Sequence, residues 1–279
     1  MFREASIGRY YAEAPQLTNE GVRTWITRAA NFAIVCNVGE AGATLDGTAK
    51  DEQFVYALEG GVTVTAGGES ETLEAEDLAI VPPGDWTIRF DRPGHVVQLV
   101  TAEEKLAQHA ANATLYAEGA PEVAPITPWP EPVDGYRLRR YSTLEGYARG
   151  GMVHAYRTRK LMMVPYSRFL EPRDETNLSP HSHADFEQGS VALEGSWVHF
   201  LRVPWGPNRQ HWRPDQELEI DSPSTTIIPA GVIHTSQGLA GEGMRLIDVF
   251  APPRLDFSRR GWVDNAADYP MPEETAAAG

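Results

Sequence analysis

Apolar residues along this chain come in short runs broken by turn residues. The runs at 32–38, 53–58, 62–66, 78–81 and 96–100 alternate with turns that contain glycine, proline or aspartate. Runs of this length with such punctuation predict β-strands, so an all-β fold is expected. Residues 102–117 break the pattern. They are alanine-rich and acidic at the start, with Thr101 placed as an N-cap, and predict a helix carrying His109 on its surface. Residues 119–135 hold Pro121, Pro125, Pro128, Pro130 and Pro132, which predicts an extended linker. The resulting division is a first β unit over 1–101, helix and linker over 102–135, a second β unit over 136–250, and an extension over 251–279. In the extension, the aromatics up to Trp262 would anchor it on a β unit, while 270–279 reads as a flexible tail.

The chemistry concentrates in His181-Ser-His183-Ala-Asp-Phe-Glu187-Gln188. Two histidines at i and i+2 project from one face of an extended chain, so both imidazoles can reach one ion. By itself, His-x-His also fits two polar residues on a solvent face. His234, following Ile-Ile-Pro-Ala-Gly-Val-Ile, adds a third imidazole. Imidazoles joined by a carboxylate or amide form an N/O set suited to Fe, Mn, Ni, Cu or Zn rather than Ca or Mg.

The segment also has a counterpart upstream. Glu52-Gln53 precedes Glu59-Gly60 as Glu187-Gln188 precedes Glu194-Gly195, at a constant offset of 135. The turn Pro82-Pro83-Gly84 likewise parallels Pro229-Ala230-Gly231. The His-x-His, the acidic–amide pair, the glycine turn and the Pro-x-Gly-x-x-His element together resemble the two motifs of the cupin superfamily. The duplication resembles a bicupin and covers most of the chain. The resemblance implies two double-stranded β-helix (jelly-roll) barrels and one divalent transition metal per chain, with Fe(II) favoured over Zn, Ni or Mn. It implies a metal site in the second barrel only. Shifting His181 and His183 by the offset gives Asp46 and Thr48, and counting from the turn glycine places Thr87 opposite His234. Three such oxygen-bearing side chains make a poor transition-metal site, so the first barrel is read as one that packs, shields or dimerises.

The fourth ligand stays open. The family motif carries glutamate with six residues between it and its glycine, and here that position is Gln188. Glu187 fits only if a β-bulge absorbs one residue, which would turn it from outward to inward. Gln188, Glu187 and water are the alternatives, with Glu187 otherwise a candidate base. On the strand after Gly195, Trp197, His199 and Leu201 share one face and Val198, Phe200 and Arg202 the other. His199 is a candidate acid–base group with a pKa near neutrality, or a hydrogen-bonded barrel residue. Trp197 is a candidate wall of the substrate site. Arg168 and Arg202 are candidate clamps for a substrate carboxylate, though each also reads as a solvated strand residue. Trp205, His211 and Trp212 lie in a Pro/Gly-rich loop that would form a lid or cover a sheet edge.

Composition narrows the function. The net charge of −15 argues against nucleic acid or an anionic membrane as partner. No apolar run approaches a membrane span, and the N-terminal residues lack an apolar signal core. Cys36, the single cysteine, excludes an intrachain disulfide, reads as a core residue, and fits the cytoplasm. The expected partners are a small-molecule substrate and a second copy of the chain in a homodimer. Three function classes compete: a non-haem Fe(II) dioxygenase, favoured by the resemblance; a redox-neutral metal-dependent isomerase, lyase or cyclase; and a non-catalytic small-ligand-binding protein.

Overall fold

The computed structural model describes residues 2–151 and 153–273, apart from the side chains of 241 and 242. The described chain is nearly all β and builds two barrels. The first is made of two antiparallel sheets. Val22–Arg28, Phe32–Gly39, Gly94–Thr101, Gln53–Ala57 and Asp77–Val81 form one. Thr44–Ala49, Gly84–Phe90, Gly60–Ala66 and Glu69–Glu74 form the other. Val55, Val64, Leu73, Val81, Ile88 and Phe90 fill the space between them.

The second barrel depends on two long strands, Gln188–Arg202 and Ile233–Phe250, paired antiparallel along their lengths. Their register slips between Ala192 and Trp197, a bulge that lets each strand bend and serve both walls of the barrel. Gly195 sits in that bend at φ +82°, where an added Cβ would lie 2.4 Å from Met244 Cγ. Its counterpart Gly60 has φ +79°, and a Cβ there would lie 2.3 Å from Ala75 N. At both motif turns, backbone conformation and space independently require glycine.

The halves are interlocked. Ser6–Gly8 pairs with Ser224–Ile228 of the second half, and Arg139–Ser142 pairs with Asp77–Val81 of the first. Phe32, Ile34, Phe54 and Leu99 meet Met163, Val191, Ile247 and Val249 in one core between the barrels. Each such side chain contributes about 1.5–3 kcal/mol by leaving water. The faces meet so closely that a Cβ on Gly189 would lie 2.6 Å from both Ile34 Cδ1 and Val249 Cγ2.

The helix expected over 102–117 is not formed. Two 3₁₀ turns, Lys105–His109 and Ala113–Tyr116, replace it. Thr101 ends a strand, and its hydroxyl donates to Asp51 Oδ2 rather than capping. The Ala102 and Ala111 N–H groups donate to the Asn31 and Ile26 carbonyls of the first barrel. Ala107 and Ala110 pack on Ile26 and Val35. Donors taken by the barrel cannot join an i→i−4 ladder, and a lone helix this short gains little by propensity.

The proline-rich stretch is extended and fastened to the second half. The N–H groups of Ala124, Trp129 and Val133 donate to the carbonyls of Asp185, Arg159 and Asp268. The extension wraps back as well. Leu255–Arg259 is a short helix that buries Phe257, and Tyr269 is buried in the inter-barrel core. Tyr269 donates its hydroxyl to Glu52 of the first barrel at 2.7 Å. In the opposite sense, Tyr116 donates to Glu187 of the second at 2.9 Å. Residues 274–279 of the expected tail lie outside the described residues. Among the described residues, no helix is long and apolar enough to cross a membrane.

Candidate metal centre

His181 and His183 lie just before the strand Gln188–Arg202, and His234 lies at the start of Ile233–Phe250. No full strand carries the first two. One antiparallel bridge ties His181 to His234 through both N–H···O=C bonds, 3.0 and 2.8 Å, and the His183 carbonyl accepts from Gly231 N–H. The i, i+2 projection from extended chain survives with this much support. The ligating nitrogens of the three rings all lie within 4.8 Å of one another, and ring centroids are 4.5–5.2 Å apart.

Alternation at the start of Gln188–Arg202 places adjacent residues on opposite faces. Gln188 points inward, its Oε1 3.1 Å from His183 Nε2 and 3.2 Å from His234 Nε2. Glu187 points outward, accepting from Ala30 N–H at 2.6 Å and from the Tyr116 hydroxyl. The bulge needed to turn Glu187 inward does occur in this strand, but only beyond Ala192. Glu187 therefore does not sit among the histidines, and its placement does not serve a base at the site.

The electrostatics favour a cation at the convergence of these groups. His181 and His234 each engage a backbone carbonyl through Nδ1, that of Ser179 at 2.9 Å and of Val232 at 3.0 Å. A carbonyl only accepts, so each Nδ1 carries the proton and each Nε2 offers a lone pair. Burial lowers the pKa of His183 to about 3, against the Gln188 hydrogen bond, and that of His234 to about 4. The Nε2 atoms of His181 and His234 thus converge with the His183 ring and the Gln188 oxygen on one point that a metal ion could share. The donor set, three imidazole nitrogens and one amide oxygen, fits a divalent transition metal. Carbonyl bonds at Nδ1 of the kind seen at His181 and His234 are the usual way such ligands are oriented.

The remaining candidates separate. His199 is fully buried on the inward face of its strand, and its pair partner Ser236 lies two residues beyond His234. Its Nδ1 lies 2.7 Å from Ser236 Oγ, while Nε2 has no partner among the described residues. Burial lowers its pKa to about 4. Trp197 shares that face but is packed with Met244 and Phe169, its Nε1 donating to the Glu194 carbonyl. Arg168 pairs with Glu194 at the surface, away from the histidines, while Arg202, paired with Asp215, lines a cavity that His234 also lines. Trp205 and Trp212 stack at 4.3 Å on an exposed loop.

Several residues at the centre were not anticipated. Phe186 stacks on His183 at 4.5 Å, and Phe250 meets the same ring edge-on. Ser190, Asp248 and Tyr166 continue inward from Gln188 through hydrogen bonds. Arg254 lies close enough for its charge to lower the pKa of His183 and of His234. Two of these had a signal: Ser190 follows Gln188 at i+2, and Asp248 is a lone carboxylate inside Leu246-Ile247-Asp248-Val249-Phe250. Tyr166 and Arg254 had none.

The first barrel differs at the same places. Asp46 pairs with Thr87 as His181 bridges His234, but Asp46 is exposed and Thr87 partly so, while their neighbours Leu45 and Ile88 are buried in the interior. Among the described residues, the three histidines are the one group of at least three His, Cys, Asp or Glu side chains arranged to share an ion.

No family model matches the chain, and no curated protein matches it. Solved structures do. Protein Ylba from E. coli superposes with TM-score 0.58 at 12% identity, covering 90% of this chain and 91% of Ylba. AerE from Microcystis aeruginosa gives 0.55 at 11%, covering 84% and 94%. A Lactobacillus farciminis oxalate decarboxylase, solved as its formate complex, gives 0.54 at 13%, covering 89% and 86%. At these identities the likeness is one of fold alone, an all-β fold of barrels shared along most of the chain.

Proposed function

We propose that this chain is a bicupin metalloenzyme acting on a small carboxylate-, enol- or phenol-bearing molecule, with non-haem Fe(II) dioxygenase as the reaction class. The observation that carries the reading is the convergence of three imidazoles and the Gln188 oxygen in the second barrel, the one such histidine cluster among the described residues. His181, His183, His234 and Gln188 would hold the metal. When bound, it supplies Lewis acidity and open positions for a chelating substrate. Phe186 and Phe250 shield the His183 side from water. Arg254, itself paired with Asp256 at 2.7 Å, carries a charge that reaches His183 and His234 and joins Arg202 as a candidate for orienting a substrate carboxylate. His199, with one unpartnered nitrogen, holds or accepts a proton from the inward side.

That free nitrogen also favours a second reading, a redox-neutral isomerase, lyase or cyclase in which proton movement is the whole reaction. Elemental analysis combined with an O₂-uptake assay over carboxylate and phenol panels separates the two. Iron with O₂ uptake supports the first; zinc or nickel with turnover but no uptake supports the second. Tight ligand binding without turnover would overturn both in favour of a binding protein. The proposal places the protein in the cytoplasm as a homodimer with the metal-free barrel as a contact surface. Light scattering checks the assembly, and a monomer of 30.7 kDa at micromolar concentration would refute it.

A further inference from the structure

The two inward amides, Gln53 and Gln188, occupy equivalent positions in the two barrels and point their polar ends in opposite directions. In the first barrel Gln98 Nε2 donates to Gln53 Oε1 at 3.2 Å, and Gln53 Nε2 is left without a partner among the described residues. The oxygen of Gln53 is thus turned along the sheet and its NH₂ inward. In the second barrel Gln188 Nε2 donates along the sheet to Ser190 Oγ at 3.1 Å, and Oε1 faces the histidines.

What differs is the residue across the sheet. Val55 pairs with Gln98; at the same offset Ser190 pairs with Asp248. Gln98 offers an NH₂ to the amide beside it. Asp248, as a carboxylate, offers only acceptors: Ser190 Oγ donates to its Oδ1 at 2.5 Å and the Tyr166 hydroxyl to its Oδ2 at 3.0 Å. A Ser190 hydroxyl whose hydrogen goes to Asp248 can only accept from Gln188. The amide NH₂ is therefore drawn to Ser190, and the amide oxygen is left to face the ion. Reversing the amide would set Gln188 Oε1 against Ser190 Oγ with no hydrogen between them.

We infer that Ser190 and Asp248 are positioning residues that fix Gln188 as an oxygen ligand, and that Asp248 supplies, one hydroxyl away, the buried negative charge the ligand set lacks. Three imidazoles and an amide leave a divalent ion's charge wholly uncompensated, and Asp248, raised above its ordinary pKa by burial against the Ser190 and Tyr166 hydrogen bonds that favour its ionised form, is the buried carboxyl connected to those ligands. Such a charge need not touch the metal to tune its binding. The inference rests on the metal reading proposed above and assigns the residues that orient its fourth ligand.

The test is Co(II) titration of metal-free full-length protein, followed by competition with a chelator and by the visible ligand-field bands of the bound ion. Asp248→Asn and Ser190→Val are compared with Ser190→Thr, which keeps the hydroxyl. Asp248→Asn can donate to Ser190 and so reverse the amide. Asp248→Asn and Ser190→Val are expected to weaken Co(II) binding on the order of 10–100-fold and to shift the bands, while Ser190→Thr restores both. Thermal melting of the metal-free forms guards against misfolding; should Ser190→Val melt early, Asp248→Asn, nearly isosteric, decides. Wild-type affinity and bands in Asp248→Asn would overturn the inference while leaving the metal centre standing. Failure of the wild type to bind Co(II) would overturn the metal centre and this inference together.

Discussion

Replacing Glu187 by alanine should damage the fold and spare the metal. Its carboxylate accepts the Ala30 N–H at 2.6 Å and the Tyr116 hydroxyl at 2.9 Å, and the side chains of Glu187 and Tyr116 are both buried. Alanine leaves two donors without an acceptor, and each stranded donor costs about 1–3 kcal/mol, giving roughly 2–6 kcal/mol in all. In a chain of this size that corresponds to a melting temperature lower by roughly 5–20 °C. Tyr116→Phe, which removes one donor and keeps the carboxylate, should cost about 1 kcal/mol. Gln188→Ala should do the reverse, with metal affinity falling on the order of 10–100-fold and a smaller change in melting. Thermal melting by circular dichroism and elemental analysis on the same preparations measure both effects. If Glu187→Ala empties the site at unchanged melting temperature while Gln188→Ala keeps its metal, the assignment of inward and outward faces is wrong by one residue.

Elemental analysis of the wild type should give about one metal per chain, as the donor geometry of a single site implies, and a His181→Ala, His183→Ala double variant should lose it; a value near two would refute a metal-free first barrel. Burial holds the Glu52 carboxyl above its ordinary value near 4.5, against the Tyr269 hydrogen bond, so its contribution to stability is full below that value and is lost as pH rises through the folded pKa. Glu52→Gln should therefore gain stability relative to wild type as pH climbs above 4.5, and a difference that does not vary with pH would sink the reasoning. Gly189→Ala should cost about 1–3 kcal/mol in urea unfolding by overpacking the face against Ile34 and Val249, and an unchanged midpoint would mean those faces do not meet as described.

The strands and the histidines were legible because their signals are local. Apolar runs of 32–38 or 96–100 bounded by turn residues leave little alternative to strands, and His-x-His with a distant Pro-x-Gly-x-x-His names its own geometry. Residues 102–117 were misread because helix propensity competes there with barrel carbonyls at Ile26 and Asn31, which a local pattern does not reveal. The arginines pair locally for a related reason. Arg168, Arg202 and Arg254 each find a carboxylate close by, at Glu194, Asp215 and Asp256, and Arg254 acts on the centre from a segment outside the barrel pattern. The inward residue was ambiguous because one residue of register separates Glu187 from Gln188, and strand alternation decides which of them faces the histidines only once the bulge is located.

The persistence of Glu-Gln in both halves has a cause that does not involve metal. Each glutamate receives a tyrosine from the segment that follows the other barrel: Tyr116 comes from the connector after the first and bonds Glu187 in the second, while Tyr269 comes from the extension after the second and bonds Glu52 in the first. The exchanged strands Ser6–Gly8 and Arg139–Ser142 cross in the same reciprocal way. The glutamate is therefore a fastening point between barrels, and the adjacent glutamine faces an interior whose content is free to differ. In one barrel that interior holds apolar side chains with a single amide chain, Thr24–Asn37–Gln98–Gln53; in the other it holds histidines, Ser190 and Asp248. It follows that the first barrel supports the histidine cluster mechanically. Ala30 and Tyr116, both from the first half or its connector, fix Glu187, and Glu187 is covalently next to Gln188. The centre depends on the whole chain, and an isolated second barrel would lose the Ser6–Gly8 edge strand, the Glu187 fastening and the apolar face covering Gly189 at once.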